Sequence, residues 1–527
     1  MLVPSTIERR RYCCQGITVW FVTLILFGCG SPTSNDIPAT SDTATRTDSS
    51  PPATSTSTKP SNPPETSSLG SSLRSGTANT LTSDSAGPNP DSRTRRQSSQ
   101  QTVAEDPRID VHITDSRPIN EALARSAGIR KLSGRHIVLY TDLPSDPSVD
   151  ILPQVFDQAV PQWADYFSLP PEKITQSGWQ VTAFLMAGKE HFQSTGLLPE
   201  DLPQFLHGYQ RGNEIWIYEQ PSEYYRRHLV LHEGTHAFMR QFLGSAGPPW
   251  YREGVAEFLG THRWSDHQLT LGYLPQHRDE VPYWGRIKIA RHLVQERQAR
   301  MLDSIMSQPA DSFLQIEAYG WSWAAVTFLD QHPQYQERFR QLAGKVTDPH
   351  FTNLAKGQFD KDWEQVSEEW QLFMVNLEYG YDLRREAVTY VESKPWSTAE
   401  AELTIQADRG WQSTGLILEA GKEFDVSATG RYVVANAPAP WWCEPNGVTL
   451  RYHQGKPLGM LLYAIQPTSN AKGLTALARP GELGIQKRIT PKQSGTLFLR
   501  INDSPAELAD NTGTLSVRVS RVTSSNN

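Results

Sequence analysis

Between Pro221 and Gly244 the sequence reads as one long helix, and what that helix carries limits the rest of the chain. Ser222 can cap its start, Gly244 can stop it, and apolar residues at 229, 230, 231, 237, 238, 242 and 243 give it a face to bury. Inside it stands His232-Glu233-Gly234-Thr235-His236. Histidines four residues apart leave a helix on the same side, so both imidazoles can reach one cation while Glu233 sits next to the first. The spacing predicts a zinc site in which Glu233 works on a metal-bound water. The competing reading is a buried helix with two hydrogen-bonded core histidines.

Hydrolytic zinc sites usually hold the ion with three protein groups and keep one position for water. After Gly247-Pro248-Pro249 the chain reads Trp250-Tyr251-Arg252-Glu253-Gly254-Val255-Ala256-Glu257-Phe258, a second helix start with carboxylates one turn apart. Either Glu253 or Glu257 can close the site. An arrangement with a third histidine six residues past the second, after an intervening glycine, is excluded, because those positions are Phe242 and Met239. Together the HExxH helix, the turn and the Trp-x-x-Glu-Gly-x-Ala-Glu segment resemble the gluzincin metallopeptidases of the thermolysin-like superfamily. The resemblance implies His232, His236 and Glu253 as zinc ligands, Glu233 as general base and Glu257 as a carboxylate behind the ligands.

Gly212-Asn213 is a two-residue turn signal between 205–209 and the alternating run Glu214 to Tyr218, which predicts a hairpin. In enzymes of this kind the strand near the metal is often a sheet edge that can bind an extended peptide through main-chain hydrogen bonds; the alternative is an ordinary core strand. Earlier strands are expected at 135–140 and 180–186 with a helix near 151–167 between them, and the chain turns mostly helical from Tyr283, an α+β pattern. A long apolar helix begins at Glu317-Ala-Tyr-Gly-Trp and ends near Asp330. It resembles the gluzincin helix whose leading tyrosine lends a phenol to the active site, which makes Tyr319 the candidate oxyanion donor. The structural alternative packs Tyr319 beside Trp321 and Trp323.

The chain starts differently. Arg9-Arg10-Arg11 precede an apolar run from Ile17 to Phe27, too short for a comfortable membrane span and suited to an export signal over 1–28. Leu26-Phe27-Gly28-Cys29 resembles the bacterial lipobox, which implies acylation of Cys29 and a membrane-anchored lipoprotein, periplasmic or on the cell surface. Residues 29–105 are rich in Ser, Thr and Pro with almost no large apolar side chains and read as a disordered tether. The net charge of −7 becomes −9 when Glu8 and the three arginines leave with the signal, a balance that does not favour nucleic acid. Of the cysteines, Cys29 and Cys443 would survive processing, so no disulfide framework follows.

The peptidase-like segment is expected over 106–395. From about 400 to 522 short alternating runs separated by Gly, Pro and Asn predict an all-β sandwich. Leu499-Arg-Ile-Asn-Asp503 and Asp510-Asn-Thr-Gly-Thr-Leu-Ser-Val517 resemble the calcium-dependent galactophilic lectins of the PA-IL type. That resemblance implies calcium on the side chains of Asp503, Asp510 and Asn511 and on the Glu507 carbonyl, an oxygen set that suits the ion. Trp441 and Trp442 could stack on a sugar, although paired tryptophans in a small sandwich more often fill the core.

These readings point to an exported zinc peptidase acting on peptide or protein, with an accessory module for carbohydrate or another surface polymer. The alternative is a non-catalytic cell-surface carbohydrate-binding protein with a peptidase-like scaffold. Hydrolysis of a non-peptide amide such as a cell-wall cross-link would use the same chemistry.

Overall fold

The strands expected before the histidine helix form as β2 (Ile137–Thr141) and β3 (Val181–Met186), with helix α1 (Leu152–Tyr166) between them. This computed structural model describes residues 117–394, 396, 398–467 and 473–522. The export signal, Cys29, the tether and residues 106–116 lie outside the described residues. Among the described residues no helix is long and apolar enough to cross a membrane.

β2 and β3 pair in parallel, as strands joined through a helix can. A short β1 (Arg130–Ser133) precedes them. The expected hairpin is β4 (Gly208–Arg211) and β5 (Glu214–Tyr218), with Arg211 opposite Glu214 and Gly212 in the left-handed region at φ 59°. Its first arm begins at Gly208, later than the 205–209 run suggested. The sheet order is β1-β2-β3-β5-β4, which leaves β4 on an edge. All of β3 is buried, because Val181, Ala183 and Leu185 face the main core while Phe184 and Met186 face a second cluster with Trp216 and Phe192.

Helix α2 (Glu223–Leu243) is capped as its sequence indicates: Ser222 Oγ accepts from the Tyr225 N–H at 3.1 Å, and Gly244 ends the helix in the left-handed conformation. It runs through the interior rather than along the surface. Gly234 marks its crossing with α1, since a methyl there would lie 2.5 Å from Phe156 and 2.8 Å from Trp163. Helix α3 (Pro249–Gly260) packs on α2 and leads into the hairpin of β6 (His262–Ser265) and β7 (Gln268–Leu271). Helices α4 (Arg286–Gln295), α5 (Ile316–Gln331) and α6 (Trp363–Asn376) complete the helical half, with α5 against both α3 and α4.

After the short helix α7 (Leu383–Glu386) the chain is β-rich. Strands β8 (Glu400–Gln406), β9 (Gln412–Leu418) and β10 (Phe424–Thr429) are followed by the small pairs β11 (Tyr432–Val433) with β12 (Trp442–Cys443) and β13 (Val448–His453) with β14 (Lys456–Leu458). β15 (Leu461–Pro467), β16 (Gly481–Glu482), β17 (Gln486–Ile489), β18 (Gly495–Ile501) and β19 (Thr514–Arg521) complete the set. Two antiparallel sheets, β17-β10-β19-β8 and β16-β15-β18-β9, enclose a core that includes Phe424, Leu497, Leu499 and Val517.

The helical and β regions share an apolar cluster in which Leu372 of α6 and Val388 meet Trp411, Leu462 and Phe498. Polar contacts close the same boundary. The Arg500 guanidinium donates to both oxygens of Glu386, at 3.0 and 2.8 Å, with all of these groups buried. Before β8, Thr389 and Lys394 already bridge in parallel to Gln412 and Leu416 of β9.

Candidate metal centre

Helix α2 turns His232 and His236 toward α3, which supplies Glu253. The two Nε2 atoms are 3.1 Å apart, and each lies 3.4 Å from Glu253 Oε2. Tetrahedral ligands at zinc bond lengths of about 2.05 Å sit roughly 3.3 Å from one another. The triangle of donor atoms therefore has the dimensions of three corners of a zinc tetrahedron, and its rings stand at 90°. All three side chains are buried. Of the carboxylates left open by the sequence, Glu253 is the one at both imidazoles.

The electrostatics favour a cation. Burial lowers the His236 pKa to about 4, so that ring is neutral and its lone pair available. Burial acts the same way on His232, but Glu253, Glu257 and Glu233 outweigh it and raise the ring to about 9. Burial would raise Glu253; His236, Arg252 and His232 hold it well below the usual carboxylate range instead. A divalent ion would replace the proton held there by this excess of negative charge.

Glu257 lies behind the histidines. Its Oε1 is 3.5 Å from His232 Nδ1, and its oxygens accept 2.8 Å hydrogen bonds from Arg286 Nε and Nη2. It thus faces the ring nitrogen that points away from Glu253. His228, one turn before His232, is 0% exposed, and with His232 and Glu257 it forms a second, overlapping group of metal-type donors. Sequence reasoning missed His228 and Arg286. The repeat of histidine at 228, 232 and 236 was a legible signal for the first; Arg286 arrives from a distant helix start, for which no local signal exists.

Glu233 is buried beside the edge strand: a methyl on Gly208 would lie 2.5 Å from Glu233 Oε1. The glycine lets β4 pass directly over the candidate base. Tyr319 opens α5 half-buried, its ring centroid 6.3 Å from that of His232, edge-on to Phe313 at 5.2 Å and under the Arg286 guanidinium at 5.9 Å. The structure therefore brings His232, His236, Glu253, Glu233, Glu257 and Tyr319 into one region.

In the sandwich, Asn511 Nδ2 donates to Asp503 Oδ2 at 3.0 Å, and the Ser504 N–H donates to Asp503 Oδ1 at 2.7 Å. Asp510 Oδ1 and Asn511 Oδ1 are buried oxygens with no hydrogen-bond partner. Acceptor atoms without donors fit a hard cation, and Asp503, Asp510 and Asn511 could hold calcium. Glu507 turns its carboxylate to Arg451, and its carbonyl accepts from the Asp510 N–H at 3.3 Å. Trp441 packs partly against the core, whereas Trp442 is 56% exposed with the Arg431 guanidinium 5.5 Å from its ring, contrary to the expectation that the pair fills the interior.

No protein-family model matches the chain, and no curated protein matches it. Among solved structures it is similar to the EclA N-terminal domain, a PllA-like lectin, at 22% identity over 23% of this chain and 95% of that one, with a TM-score of 0.18. It is also similar to Aeromonas hydrophila PliG, a periplasmic lysozyme inhibitor of g-type lysozyme, at 13% identity over 26% of this chain and 97% of that one, with a TM-score of 0.16. Likenesses of this size bear on neither activity nor ligand.

Proposed function

We propose that the chain is an exported, lipid-anchored zinc peptidase of the gluzincin type whose sandwich binds carbohydrate or another surface polymer. The observation that carries the enzymatic reading is the triangle of His232, His236 and Glu253 donor atoms, 3.1 to 3.4 Å on a side, with Glu233 on the same helix. A complete ligand set together with the candidate base favours the enzyme, because a decayed site in a binding-only scaffold would be expected to lose one of them.

Bound there, zinc would supply Lewis-acid activation of water and of the scissile carbonyl. The remaining work falls to the chain. β4 is an edge strand beside Glu233, so it can take an extended peptide as an added strand and lay its backbone across the site. Glu233 would accept the proton of the attacking water and return it to the leaving amine. Tyr319 would donate its phenolic hydrogen to the carbonyl oxygen as negative charge develops. In the sandwich, calcium on Asp503, Asp510 and Asn511 would offer free coordination positions to sugar hydroxyls, with exposed Trp442 as a stacking surface.

The test is zinc content and hydrolysis of unstructured peptides by the purified full chain. One tightly held zinc together with cleavage that Glu233→Gln abolishes is expected. A folded chain with neither zinc nor hydrolysis overturns the enzyme and leaves the binding reading.

A further inference from the structure

His228 has no assigned role at the proposed centre, although its placement is that of a ligand. It is 0% exposed, neither ring nitrogen has a hydrogen-bond partner, and its Nε2 lies 3.4 Å from Glu257 Oε2. Glu257 Oε1 in turn lies 3.5 Å from His232 Nδ1. Donor atoms of His228, His232 and Glu257 all fall within 4.8 Å of one another, as do those of the outer set of His232, His236 and Glu253. The two sets are nested and share the His232 ring, one through each nitrogen.

What separates them is Arg286. Gly285, in the left-handed region at φ 66°, starts α4 so that the first helical side chain enters the core. There the guanidinium is 4% exposed, takes both oxygens of Glu257 at 2.8 Å and donates to the Trp284 carbonyl at 3.3 Å. An arginine stays charged at any physiological pH and its fork matches a carboxylate.

We propose that the Arg286 guanidinium occupies the position of a second divalent cation, so that the inner set of His228, His232 and Glu257 is closed and the chain takes a single ion at the outer set. This rests on the metal-site reading above. With both oxygens of Glu257 taken by the Arg286 guanidinium, the inner set has no free carboxylate to offer an ion. His228 is then a ligand type held in reserve, packed by Tyr225, whose ring centroid is 5.5 Å away, and by the end of α3 at Gly260.

The experiment counts zinc by native mass spectrometry on the full chain, with thiols alkylated and calcium in excess to saturate oxygen-only sites. Wild type and Arg286→Lys should each hold one ion, Arg286→Gln two, and Arg286→Gln combined with His228→Ala one again. One ion in both wild type and Arg286→Gln overturns this inference alone, as do two in wild type. No ion in wild type overturns the metal-site reading and this inference with it. Should Arg286→Gln not fold, cadmium titration of wild type decides: a single histidine-ligated 113Cd resonance supports the closed inner set, and a second one refutes it.

Discussion

His232 Nδ1 faces Glu257 Oε1 across 3.5 Å, which fixes the nitrogen that turns toward Glu253. A carboxylate behind a ligating imidazole sets its tautomer and raises its basicity. Replacing Glu257 with Gln should weaken zinc binding about 10–100-fold, read by competition with a chromophoric chelator. Unchanged affinity would remove Glu257 from the centre.

Glu233→Gln should keep zinc and lose hydrolysis by about 10²–10⁴-fold. His236→Ala and Glu253→Ala should lose both the ion and the activity. Metal content and initial rates on one peptide substrate separate these outcomes, and full activity in the Gln variant refutes the base.

Gly208→Val tests the contact between β4 and the base. Any Cβ at 208 meets Glu233 Oε1 at 2.5 Å, so the carboxylate must move while the ligands stay. The expected result is full zinc occupancy with kcat reduced about 100-fold, a displacement of roughly 1 Å being enough for that. Wild-type kcat would show that the strand does not constrain Glu233.

The same positions show how much was legible beforehand. Helix α2, its two caps, the hairpin turn and the pair His232 and His236 follow from local chemistry: periodicity, capping hydroxyl, glycine stop and ligand spacing; the choice of Glu253 over Glu257 comes from the gluzincin resemblance. Gly208 over Glu233 and Arg286 on Glu257 do not, because each joins residues 25 or more positions apart whose meeting depends on how sheet and helices stack. The exposure of Trp442 was hidden for a similar reason: in the short β12, pairing with β11 decides which face turns out, and composition does not.

Burial pushes the Asp503 carboxyl up to about 7, despite hydrogen bonds from Asn511 and the Ser504 N–H. The folded chain then holds this proton more tightly than the unfolded chain, whose aspartate titrates near 3.9. Without calcium, this group should add stability as pH falls from about 7 toward 4, on the order of a few kcal/mol. Calcium needs the ionised form, so stabilisation by calcium should fade over the same descent. Melting temperatures from pH 5 to 8, with and without calcium, should show both trends in wild type and neither in Asp503→Asn; identical profiles would refute the assignment.

Arg500→Leu should cost about 3–5 kcal/mol in urea unfolding, because it leaves Glu386 charged and buried without a partner. The double change with Glu386→Leu should recover most of that loss. A single variant within 1 kcal/mol of wild type would mean that the pair is not buried in solution.

Leu372 of α6 and Val388 share one apolar cluster with Trp411 and Phe498, so the sandwich is not a float on a leash. A polymer gripped at its surface would be held at one bearing and one reach from the histidines, and only cleavable groups at that offset along the polymer would come under the blade. Such an enzyme would measure its cut from the point of grip, as a ruler does.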